Sequence, residues 1–80
     1  MENVIIKTDV IELQKAMIEI GFKTNKSLAD ASGINRNTIG QILKGEKQPS
    51  YDVMVRLVST LKLSEQKAGR IFFAPYLRNA

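Results

Sequence analysis

Apolar side chains recur at intervals of three and four along most of this chain, in five successive runs. Val10, Leu13, Ala16, Met17 and Ile20 form the first run, the spacing of one helix face. Asp9 stands at its head with Glu12 three residues on, the capping-box pattern that pairs otherwise orphaned N–H groups of a first turn. Gly21 closes the run, because glycine takes up a left-handed C-terminal conformation at low steric cost. Thr24 then caps a helix from residue 25 to about 31, with Leu28 and Ala29 inward. Gly33 fits a turn that needs positive φ. Asn35 caps a third helix running to about residue 44, with Ile34, Ile39, Ile42 and Leu43 on its buried side and Gly45 as its stop. Ser50, just after Pro49, opens a fourth helix to about residue 61 on a stripe of Val53, Met54, Leu57, Val58 and Leu61. Ser64 opens a fifth through about residue 73, which buries Ala68, Ile71 and Phe72 before Pro75 halts it.

Two segments escape the helical period. Val4, Ile5 and Ile6 suit a brief strand, or an arm that packs on the body or on a second subunit. Ile71, Phe72 and Phe73 with Tyr76 and Leu77 are more apolar than one helix face needs. That cluster either closes the core beneath the first helix or forms part of a dimer contact. No repeat, linker or low-complexity stretch divides the chain, so it reads as one all-α domain over residues 1–80. Its parts are an N-terminal arm or short strand (1–8), a helical body (9–74) and a tail (75–80).

The second and third helices carry the chemistry. Two short helices joined by a three- or four-residue turn containing glycine pack at a steep angle, and a small residue at Ala29 lets them approach. The third helix then projects a polar face of Arg36, Asn37, Gln41 and Lys44, side chains of the types that read base edges or hold phosphates. Gly40 lies on that face, where a mid-helix glycine costs up to ~1 kcal/mol relative to alanine. Close approach of a DNA backbone and plain helix packing each account for it. Asn25 and Lys26 start the second helix, where side chains and the amides of a positive helix end can meet phosphate.

Composition narrows the field. Eighty residues make one small domain with a marginal core. There is no cysteine and no histidine, which removes disulfides, thiolate sites, thiol nucleophiles and the commonest general base and metal ligand. There is also no phosphate-binding glycine loop, nucleophile–base pair or metal cluster. No cofactor, metal or small-molecule ligand is therefore expected, and an enzyme is the reading that fits worst. No apolar run approaches ~20 residues, and the opening MENVIIKT has an acidic residue and too short an apolar core for a signal peptide. A cytoplasmic protein is the expectation. The net charge is +4, and its distribution matters more than its size. Residues 1–20 hold two basic against four acidic side chains, whereas residues 21–47 hold five against two. Residues 48–80 also hold five against two, so the basic character is not confined to the motif.

Ala29, Gly33, Ile39 and Ile42, followed by GEKQPS over residues 45–50, resemble the helix-turn-helix domains of the phage repressor and Cro family. The resemblance runs from about residue 9 to 63. Three positions depart from the family pattern: Ser32 replaces a small apolar residue, Asn25 a common glutamine and Leu43 a frequent glutamate. The resemblance implies a compact five-helix lambda-repressor-like domain that is a sequence-specific transcriptional regulator. A repressor of phage or mobile-element type is its first reading. Arg36, Asn37 and Gln41 match the base-facing positions, which suits Arg for guanine and Asn or Gln for adenine. Asn35, Lys44, Lys47 and Ser50 resemble phosphate-contact positions. Arg36, at the helix edge, is equally placed to clamp a phosphate, and Thr38 either meets a thymine methyl or is half buried. Asn35 and Ser50 are also fully explained as caps, and Lys44 as a favourable charge at a helix C-terminus. The implied partner is double-stranded DNA with a palindromic operator, bound by a homodimer with half-sites ~34 Å apart. Two alternatives keep the fold: an antitoxin that binds a toxin and autoregulates, and a protein-interaction module. The few residues after Pro75 count against the first, and the basic outer face of the third helix against the second.

Overall fold

In the computed structural model the backbone is described for residues 2–79 and the side chains for residues 6–75. The elements follow in the order β1 (Glu2–Lys7), α1 (Val10–Glu19), α2 (Asn25–Ser32), α3 (Arg36–Leu43), α4 (Tyr51–Leu61), α5 (Glu65–Phe72) and β2 (Ala74–Asn79). The five helices stand where the apolar spacing put them, because each begins at a side chain able to cap it. Thr24 accepts from the Ser27 N–H at 3.0 Å, Asn35 from the Asn37 N–H at 2.8 Å, Ser50 from the Val53 N–H at 3.3 Å and Ser64 from the Lys67 N–H at 3.1 Å. Such a cap contributes ~1 kcal/mol to its helix.

Two caps differ from the sequence reading. At α1, Asp9 accepts from the Glu12 N–H at 3.2 Å, but its own N–H donates to the Ile71 carbonyl at 2.6 Å. Only half of a capping box forms there, and the other half is exchanged for a tie between the head of α1 and α5. At α2 the full box is present, since the Thr24 N–H donates back to the Ser27 hydroxyl at 3.3 Å. Serine does the work usually assigned to Glu or Gln.

The N-terminal segment is a strand, and its partner is the segment expected as a tail. β1 and β2 pair antiparallel, with the register running from Glu2 opposite Asn79 to Lys7 opposite Ala74. Pro75 cannot continue α5, and the chain beyond Phe73 turns instead into the ladder offered by the β-branched run of β1. The fold is thus five helices with a small two-stranded sheet.

One core joins all five helices. Leu13, Ala16 and Met17 of α1 meet Leu28 and Ala29 of α2, Ile39 and Ile42 of α3, Leu57 and Leu61 of α4, and Ile71 and Phe72 of α5, with Ile34 from the turn. Each fully buried Leu or Ile contributes ~1.5–3 kcal/mol over its exposed state. Ile71 and Phe72 therefore belong to the core beneath α1, whereas Phe73 is 58% exposed. Val10 is only half buried, and Ile20 lies outside the core because α1 has ended before it and the chain turns away at Gly21.

Candidate nucleic-acid interface

The turn between α2 and α3 sets the angle at which α3 leaves the body. Gly33 adopts φ 75°, and its N–H donates to the Ala29 carbonyl at 2.9 Å. A side chain there is strained by that φ alone; a Cβ would also lie 3.0 Å from Nη1 of Arg56, the flexible end of an exposed side chain that can give way. Arg56 reaches the turn from α4 and is held by Asp52, with Nε and Oδ2 3.0 Å apart. Ser32 is buried at 8% exposure, and its hydroxyl accepts from the Ile34 N–H at 3.2 Å. The hydroxyl that departs from the resembled pattern thus satisfies a buried backbone donor within the turn. Ala29, also buried, leaves α2 and α3 free to close on each other.

With Ile39 and Ile42 buried, the helical period turns Arg36, Asn37, Gln41 and Lys44 outward, and all four are exposed. They converge with Asn25, Gly40 and Glu46 on a shallow hollow of ≈ 460 Å³. Asn25 crosses from α2 to reach it, so the hollow spans both helices of the motif. Arginine, lysine and two kinds of carboxamide on one open surface can donate to phosphates and make paired hydrogen bonds to base edges.

The other predicted residues sit around this centre in different states. Lys26 and Asn35 line a neighbouring hollow of ≈ 500 Å³ together with Arg36 and Asp30. Lys26 Nζ is 2.9 Å from Asp30 Oδ2, an exposed pair one helical turn apart. Such a pair is worth only ~0.3–0.5 kcal/mol, so it yields readily to a phosphate. The Asn35 and Ser50 side-chain oxygens cap α3 and α4. Thr38 is half buried, Lys44 is the C-cap of α3, and Lys47 is exposed on the loop between α3 and α4.

Gly40 acquires a clearer setting. A Cβ built on it meets the Asn25 amide nitrogen at 3.7 Å, an ordinary contact. Tight packing of α2 on α3 therefore does not require glycine. Sequence reasoning missed Glu46, whose N–H donates to the Gln41 carbonyl at 2.9 Å and whose residue lines the same hollow. It missed Arg56 as well. Glu46 lies within the exit from α3 and was open to local reading, whereas Arg56 carries no local signal, because it reaches the motif from α4.

A protein-family model described as helix-turn-helix matches residues 23–67, more than half of the chain and the whole of α2, α3 and α4. Neither the curated proteins nor the solved structures include a significant match.

Proposed function

The chain belongs to the Cro/C1-type helix-turn-helix family of DNA-binding transcription regulators, and from that membership we propose a sequence-specific repressor of phage or mobile-element type, acting as a homodimer on a palindromic operator. The observation that carries the reading is the convergence of Arg36, Asn37 and Gln41 with Asn25 and Lys44 on one exposed hollow across α2 and α3. In this reading α3 enters the major groove. Arg36 grips guanine O6 and N7, Asn37 and Gln41 pair with adenine N6 and N7, and each such bidentate contact discriminates by ~1–3 kcal/mol. Thr38 contributes at most its methyl group. Asn25, Lys26, Asn35, Lys44, Lys47 and Ser50 hold the flanking phosphates and set the register of the helix in the groove. Gly40 keeps the outer face low enough for the sugar-phosphate backbone to come close. Two copies related by a two-fold axis read two half-sites ~34 Å apart, and a cytoplasmic location follows from DNA as the partner.

Selection of bound sequences from a random duplex library at physiological salt tests this. Recovery of an inverted repeat with half-sites about one turn apart is the expected result. Salt-sensitive retention without sequence enrichment would reduce the basic face to a general anion surface and turn the search towards a protein partner.

A further inference from the structure

The loop that leaves α3 carries Lys47 and leads to Ser50, and it is held from an unexpected direction. Gly45 exits α3 at φ 77°, and the N–H groups of Gly45 and Glu46 fold back to Ile42 and Gln41. At its far end Ser50 caps α4. Between these ends, Gln48 Oε1 accepts from the backbone N–H of Thr8 at 2.8 Å, across 40 residues of chain. An N–H can only donate, so the oxygen of the carboxamide is the atom that faces it.

Thr8 is 4% exposed. A buried backbone donor left without a partner costs ~1–3 kcal/mol, which gives this hydrogen bond a reason to persist. The next residue, Asp9, ties the same segment to α5 through the 2.6 Å bond to Ile71. Gln48 is thus anchored to a point itself fixed to the core. It lines an apolar cleft of ≈ 170 Å³ with Ile6, Thr8, Met54 and Phe73, not the polar hollow that collects Arg36, Asn37 and Gln41.

We propose that Gln48 is a positioning residue for DNA backbone contact: through Thr8 it fixes the loop from which Lys47 reaches phosphate. The inference rests on the DNA-binding reading above. A lysine on a free loop must have both backbone and side chain ordered on binding, whereas one on a tethered loop orders the side chain alone. The tie therefore strengthens the contact without touching DNA.

A double-mutant cycle between Gln48 and Lys47 tests it. The probe is a short fluorescent duplex of mixed sequence, titrated at several KCl concentrations, so that phosphate contacts are counted without knowing the operator. In the wild-type background, Lys47→Ala should flatten the salt dependence by about one contact, roughly a threefold change in affinity over a fourfold range of salt. In Gln48→Met, which keeps the length and removes the acceptor, Lys47→Ala should have clearly less effect. Gln48→Glu keeps an acceptor and should restore the coupling, although its added charge lowers affinity overall. Thermal melts of each variant separate this from unfolding. If Gln48→Met melts below the assay temperature, the cycle in Gln48→Glu decides, and loss of coupling there overturns the role. An equal effect of Lys47→Ala in wild type and Gln48→Met also overturns it. No effect of Lys47→Ala in wild type would instead remove Lys47 from the interface, and with it the contact that Gln48 is proposed to position.

Discussion

A hydroxyl at position 32 changes how the helix-turn-helix turn is held. Ser32 is buried and receives the Ile34 N–H, in a turn whose next residue already takes φ 75°. Ser32→Ala leaves that N–H buried without a partner and should cost ~1–2 kcal/mol. A fall in melting temperature of roughly 5–10 °C is the corresponding readout for a domain of this size; an unchanged melt would mean that water reaches the donor. Gly40 is the opposite case. Its missing Cβ leaves only ordinary contact distance to Asn25, so Gly40→Ala should stabilise α3 by ~0.5–1 kcal/mol. Urea titration gives that number, and the same variant's affinity for duplex DNA reports how closely the backbone approaches.

At the scale of elements, the proposed reading assigns α3 two kinds of contact. Gln41→Ala should relax preference at one position of each half-site while leaving non-specific affinity nearly unchanged. Lys44→Ala should weaken binding to all sequences and flatten the salt dependence by about one contact. Competition with unrelated duplexes distinguishes them, and a uniform loss for Gln41→Ala would make it a phosphate residue. The contrast also explains what the bare sequence could disclose. Caps, periodicity and the outer face of α3 are properties of residues within a turn or two of one another, so the caps Ser50 and Ser64 and the shared exposure of Arg36, Asn37 and Gln41 were legible. The pairing of residues 2–7 with 74–79, the approach of Arg56 to Gly33 and the bond between Gln48 and Thr8 join distant parts of the chain. Nothing local marks them. Asp9 shows the boundary well, since its side chain caps α1 as expected while its N–H serves Ile71 on another helix.

At the scale of the whole molecule, stability rests on one shared core and not on charge. The ion pairs Lys15–Glu12, Lys26–Asp30, Arg56–Asp52 and Lys67–Glu19 are all on the surface, where each is worth at most ~1 kcal/mol. High salt should therefore weaken DNA binding far more than folding. Because every helix contributes to the same cluster, urea unfolding should be a single transition. The midpoint from far-UV circular dichroism should coincide with that from the methyl signals of Leu13 and Ile71, whereas two separated midpoints would mean that α1 and α5 come apart independently of α2 and α3. The order of the elements has a consequence of another kind. Among the described elements β1 comes first and β2 last, so their ladder closes a longer loop than any other pairing described. Closing a loop of that length costs chain entropy that only helices already packed together can offset, so the ladder should be the last part of the fold to form. Until it forms, the strand-forming run of β1 presents an unpaired edge, open to any other strand that meets it.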